Sequence, residues 1–248
     1  DYPKDDARIL GARPYSAALY GEDDKVTSLS IVFANKGDFF GAKGSGEDHF
    51  VKGKPVPDGV EGLRMVMERD TEAMSALLTE KLGEPERQKF GEGETRATVQ
   101  RWDWNGHAFL LSSVEDEYVS LAVQPVAFAD ARGRMARVSD AEVRERARAN
   151  VETRDNGDVI IKNIPMVDQG PKGYCVPATA ERCMRYLGIP ADMYLLAMAG
   201  ETQIGGGTSV SVLFDALERD IKRKGRSLEK WREEDIKIRD IAKYIDDG

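Results

Sequence analysis

Residues 60–83, VEGLRMVMERDTEAMSALLTEKLG, constrain the fold of this chain more than any other stretch. Leu63, Val66, Met67, Met74, Leu77 and Leu78 recur at three- and four-residue spacings, which gathers them on one side of a helix. Gly83 stands where such a helix ends, and Pro85 stops its continuation. A helix of this length must lay its apolar side on a partner. The flanking segments supply one, because they read as strands.

YSAALY (15–20) and VTSLSIVFAN (26–35) are short strand candidates separated by the turn-like GEDDK. Alternation in the second places Leu29, Ile31 and Phe33 on one face. TRATVQRWDWNGHAFLLSSV (95–114) turns back at Asn105-Gly106, and YVSLAVQPV (118–126) follows. The order strand, strand, helix, strand series predicts an α+β fold with a helix packed across an antiparallel sheet. The glycine- and charge-rich segment between the second strand and the helix (35–59) reads as a lid-like loop.

The second half changes character. VSDAEVRERARAN (138–150) opens with the capping box Ser139 and Glu142, and TRDNGD (153–158) is turn chemistry. VIIKNIPMV (159–167) is an extended lead-in. Helices are predicted over 176–188, 192–200, 210–225 and 233–248, with a glycine hinge, GGGTS (205–209), before the third. This divides the chain into an accessory α+β domain (1–130), a charged helix and linker (131–158) and a helical domain (159–248).

Composition narrows the function. A net charge of −8 lacks the basic face that nucleic-acid binding needs. No run of 18 apolar residues is present, so no membrane span is expected. Two cysteines and two histidines at unrelated spacings form no metal motif, and nothing in the sequence calls for a cofactor. Cys175 and Cys183 lie eight residues apart on one predicted helix, a rise of about 12 Å. That is beyond disulfide reach, so both are expected as free thiols.

The chemistry concentrates in QGPKGYCVPAT (169–179). Cys175 falls at a helix start, where unpaired N–H groups and the positive dipole end favour a thiolate. Gln169, six residues earlier across a glycine-containing turn, offers an amide for a developing oxyanion. The competing reading of Cys175 is a small buried thiol. Cys183, two turns on, is expected to face the core. GGGTS lacks the ending of a phosphate loop and reads as a hinge with a Ser or Thr helix cap bordering the cleft.

Gln169, Gly173, Cys175, Ala178, the helix end RYLGI (185–189) and AGETQIGGGTS (199–209) together resemble papain-like cysteine peptidases. They are most similar to the bacteriocin-processing (double-glycine) peptidases of bacteria, over about residues 160–248. The resemblance implies the helical N-terminal part of a papain-like domain, hydrolysis of a peptide or protein substrate, Cys175 as nucleophile and Gln169 as oxyanion-hole donor. Together with a start at Asp1 rather than methionine, it leans towards a secreted, periplasmic or cell-envelope protein.

The departure from that pattern is the base. Such peptidases place a histidine after the cysteine, whereas His49 and His107 both precede Cys175 here. One expectation is a chain whose catalytic domain continues beyond Gly248 and carries the histidine there, leaving this piece inactive alone. The alternatives are a non-catalytic binding or regulatory protein with a peptidase-like cleft, or an amidase or transglutaminase-like acyl-transfer enzyme. Service by His49 or His107 would require an approach to within about 3 Å of the sulfur.

Overall fold

The computed structural model describes residues 7–22, 25–41, 49–50, 57, 59–91, 96–133, 139–170, 172–223, 228 and 236–247. Six strands, β1 (Ser16–Glu22), β2 (Lys25–Asn35), β3 (Glu86–Phe90), β4 (Ala97–Trp104), β5 (His107–Val114) and β6 (Tyr118–Pro125), form one sheet. Their order is β1-β2-β6-β5-β4-β3, and every neighbouring pair is antiparallel. The fold is α+β.

The short α1 (Lys36–Phe39) follows β2, and the long α2 (Gly59–Leu82) lies across one sheet face. Leu63, Val66, Met67, Met74 and Leu78 of α2 meet Ile31, Phe33, Trp102, Leu111, Val119 and Leu121 in one core. Burying such side chains is worth about 1.5–3 kcal/mol each, which fixes the register of α2 on the sheet. Trp102 adds a directional contact, its indole N–H donating to the Gly83 carbonyl at 2.9 Å where α2 ends.

The opposite sheet face is also covered, in two places. Near β3, Val99, Ala108 and Leu110 pack on Ala129 of α3 (Val126–Asp130). Near β1, Val32 and Tyr118 share a buried cluster with Tyr174, Ala178, Met193, Tyr194 and Ala197 of the second half. The expected face of β2 is the one that meets α2, but its reverse is buried too.

The second half is mainly helical. The predicted capping box is present, Ser139 and Glu142 bonding reciprocally at the start of α4 (Asp140–Ala149). β7 (Val151–Thr153) and β8 (Val159–Ile161) then form a two-stranded hairpin, so the lead-in at 159–167 begins as a paired strand. Among the described residues, four helices follow: α5 (Cys175–Tyr186), α6 (Met193–Ala199), α7 (Val210–Arg223) and α8 (Ile238–Asp247).

Three local readings differ from expectation. β3 takes up Glu86–Phe90 immediately after Pro85, although its sequence, ERQKF, lacks an apolar alternation. It is an edge strand held by its pairing to β4. The last predicted strand stops at Pro125, where α3 begins. The expected lid-like loop starts as α1 instead, and its residues 42–48, 51–56 and 58 lie outside the described residues.

Candidate functional site

Cys175 is the first residue of α5. Its side chain is solvent-exposed, which excludes the buried-thiol reading. Tyr174 occupies the N-cap position without a side-chain cap, so no hydroxyl or carboxylate competes for the first-turn N–H groups beside Cys175. Cys183 is exposed as well, against the expectation that it faces the core, and both thiols are free. The α5 residues that turn inward are instead Pro177, Ala178, Glu181 and Met184. Cys183 falls outside that stripe.

The turn leading into Cys175 is tightly organised. Lys172 O accepts both Tyr174 N–H at 2.8 Å and the Gln169 side-chain amide at 3.3 Å. Gly170 N–H donates to Asp168 Oδ1 at 2.9 Å. Gln169 is thus placed on the cysteine turn, with one amide N–H spent on the turn itself and a second remaining on the same nitrogen.

The GGGTS segment borders this turn. A side chain at Gly173 would stand 2.9 Å from the Gly206 carbonyl, so the two backbones touch and only glycine fits. Thr208 at the far end of the segment is buried on Thr202, and Ser209 Oγ lies 3.5 Å from Val212 N at the start of α7. The loop carrying Gly205, Gly206 and Gly207 is therefore fixed at one end while its glycines stay exposed.

Beneath the turn lies a buried polar brace that no local sequence signal announces. Lys172 Nζ reaches Asp38 Oδ2 at 2.9 Å, with side chains 0% and 3% exposed. Asn35 donates to the same Oδ2 at 2.9 Å, and Asn35 Oδ1 accepts Asp38 N–H, capping α1. Burial pulls the Lys172 ammonium below its ordinary value, with Asp38 opposing that fall. The lysine also lies over the Tyr194 and Tyr174 rings, at 5.3 and 6.0 Å from their centroids. The cysteine turn is thereby pinned to the β2–α1 corner of the sheet.

Along the same flank runs a groove of about 600 Å³ between β1, residues 166–168 and helices α5 and α6. Tyr20, Met166, Asp168, Glu181, Arg185 and Asp192 are among its lining residues. Glu181 accepts Met193 N–H at 2.7 Å and Arg185 Nη1 at 3.3 Å. Burial, reinforced by the Asp192 charge, pushes its carboxyl up to about 7. Asp192 caps α6 through Tyr194 and Leu195 N–H, and burial raises it too. Arg185 lies over the Tyr20 ring at 5.0 Å and ties α5 to β1. Asp168, which lines the groove, is the residue before Gln169; Gln169 and Cys175 are not among the lining residues.

Both histidines are engaged elsewhere. His107 sits exposed at the hairpin turn, its Nδ1 3.0 Å from Asn105 O. His49 contacts Tyr15 and Arg69. Among the described residues, no group of three or more His, Cys, Asp or Glu side chains is arranged to hold a metal ion. No described helix is long and apolar enough to cross a membrane.

Comparison with family models, with curated proteins and with solved structures returns no similar sequence or fold. The functional reading therefore rests on the residues and geometry above.

Proposed function

We propose that this chain carries the nucleophile half of a cysteine peptidase site, with Cys175 attacking a peptide carbonyl and Gln169 helping to hold the oxyanion. The observation that carries the reading is the exposed thiol at the first residue of α5, uncapped by any side chain and two residues after Gly173, whose backbone touches that of Gly206. A helix start supplies backbone N–H donors on the side where a tetrahedral oxyanion would form. Glycines at 173 and 205–207 let a substrate backbone approach the sulfur, and the groove past Asp168 offers an extended chain a seat. The step adds the thiolate to the carbonyl carbon. The amine then departs with a proton, leaving an acyl-enzyme that water hydrolyses. The proton the amine takes is the one the Cys175 thiol releases on forming the thiolate.

A second reading is favoured by that same observation about the histidines. With His49 and His107 both committed away from the thiol, the groove would hold a peptide without cleaving it. Cys183 makes the two separable, because it is an exposed thiol on the same helix. A peptide-like thiol electrophile at neutral pH is expected to label Cys175 well ahead of Cys183, with C175S abolishing the fast phase. Equal rates at the two cysteines would leave the binding reading alone standing.

A further inference from the structure

The groove beside β1 combines apolar lips with one carboxylate that its own structure leaves half used. β1 stands at one end of the strand order, and its run from Ser16 to Tyr20 makes an extended wall. Leu19 and Met166 both line the groove and are 68% and 79% exposed, so apolar surface is open to a guest. The volume of about 600 Å³ is that of a ligand-sized cleft.

The carboxylate is that of Asp192. Its Oδ1 is spent on α6, accepting Tyr194 N–H at 2.8 Å and Leu195 N–H at 3.2 Å. Among the described residues its Oδ2 has no donor and the group has no ion-pair partner. The Tyr20 phenol, also in the lining, makes no hydrogen bond among the described residues either. Burial, followed by the Asp192 and Glu181 charges, holds that phenol above its ordinary value, so it stays protonated. The Asp192 charge bears on Tyr20, Glu181 and Tyr118 alike, while no described cation acts on Asp192 itself.

The remaining polar groups are accounted for. Glu181 and Arg185 pair at 3.3 Å, and the Arg185 guanidinium also covers the Tyr20 ring. Tyr194 Oη lies 3.0 Å from Ser16 Oγ, and Asp168 accepts Gly170 N–H, so neither enters the count. Two carboxylates against one guanidinium leave one negative charge, which a single cation cancels.

One free oxygen decides between the two basic side chains. A guanidinium pairs best through a two-pronged contact with both carboxylate oxygens, and Oδ1 is already taken. An ammonium is a point charge with three donors, of which one suits Asp192 Oδ2 and another Tyr20 Oη. Its hydrocarbon stem lies well along an apolar wall. We propose that the groove seats an extended peptide through a lysine whose ammonium meets Asp192 Oδ2 and Tyr20 Oη, with apolar neighbours of that lysine resting on Leu19 and Met166. The inference rests on the reading of this groove as a peptide seat, and not on attack by Cys175.

The test is calorimetric titration of the full chain carrying C175S at about pH 8, one unit above the Glu181 carboxyl at about 7. C175S keeps turnover out of the heat, so failure of this site and failure of the thiol chemistry, which labelling reads, are separate results. The probes are the capped peptide Ala-Leu-Lys-Leu-Ala, its counterparts with arginine or norleucine at the centre, and n-butylamine. The lysine peptide is expected to bind saturably. The norleucine peptide, which lacks only the ammonium, is expected at least about tenfold weaker, the scale of one charge-assisted hydrogen bond. The arginine peptide is expected in between, and n-butylamine to give no saturable heat over the same range. D192N keeps an oxygen for the α6 N–H groups and turns a donor towards the groove, so lysine and norleucine peptides are expected to reach parity. Y20F keeps the ring beneath Arg185 and is expected to weaken the lysine peptide several-fold without changing the norleucine peptide. It decides the matter if D192N does not fold. Absence of a saturable heat from the lysine peptide overturns the proposal. So does an arginine or norleucine peptide that binds as tightly, n-butylamine that matches the peptide, a lysine preference retained by D192N, or one unaltered in Y20F.

Discussion

Lys172 and Asp38, 134 residues apart, meet at 2.9 Å with both side chains out of solvent. Each removes the cost of burying the other's charge, and Asn35 adds a further hydrogen bond to the carboxylate. Removing one partner strands a buried charge, which costs roughly 3–5 kcal/mol. K172M and D38N are each expected to lower unfolding stability by that order in urea titrations. The double substitution K172M/D38L, which strands neither charge, is expected to recover much of the loss. A double variant as unstable as the two singles combined would show that the pair contributes nothing as a pair.

Gly37 explains how the brace closes. A β-carbon there would stand 2.6 Å from Tyr174 Cζ and 2.9 Å from Lys172 Cδ. Tyr174 is 3% exposed and packs edge-on to Tyr194, so its ring has nowhere to retreat. G37A is expected to cost about 1–3 kcal/mol by overpacking. It is also expected to slow labelling of Cys175, because the displaced Tyr174 is the residue before the thiol. Chemical denaturation and the labelling rate read the two effects separately. An unchanged labelling rate in a destabilised G37A would uncouple the corner from the thiol.

The halves of this molecule were unequally legible in its sequence. α2 and its sheet announce themselves through periodicity, because Leu63, Val66 and Met74 repeat at helical spacing while Ile31 and Phe33 alternate. The exposed placement of Cys175 at a helix start follows from local residues in the same way. What stayed hidden is what joins the halves. Lys172 looks like turn filler in QGPKGYC, and nothing nearby reveals that its partner lies in NKGDFF. Val32 reads as the solvent side of an amphipathic strand, yet it is 3% exposed because Tyr174 and Tyr194 cover it. Such pairings are set by tertiary packing, which outweighs local pattern. Cys183 was misplaced for a related reason. α5 buries Pro177, Ala178, Glu181 and Met184, and the buried glutamate hid the true stripe from a reading that sought apolar residues.

That glutamate gives the molecule a pH signature. Folding raises the Glu181 carboxyl from 4.5 to about 7 through burial and then the Asp192 charge. Between those values the folded state holds a proton that the unfolded chain has released. The contribution is therefore fully present below about pH 4.5 and is lost as pH rises through about 7. The swing amounts to roughly 3 kcal/mol at most, and the raised Asp192 carboxyl adds to it in the same sense. E181Q keeps an acceptor for Met193 N–H and carries no titrating proton. Urea midpoints measured across this window are expected to fall in the parent chain and to fall less in E181Q. Parallel curves would place the pH dependence on other groups.

Gly173 tests whether the glycine wall serves the thiol or only the fold. Its neighbour is a backbone oxygen, Gly206 O, so an added β-carbon 2.9 Å away cannot be accommodated by swinging a side chain aside. One of two loops must move: the turn that delivers Cys175, or the segment 205–207 that flanks it. G173A is expected to lose about 1–3 kcal/mol of stability. Under native conditions it is also expected to slow electrophile labelling at Cys175. Cys183, two turns along α5, lies beyond the reach of either displacement, so its rate is expected to hold. Rates that fall together would trace the effect to general loosening of α5, and rates that both hold would remove the glycine wall from the proposed site.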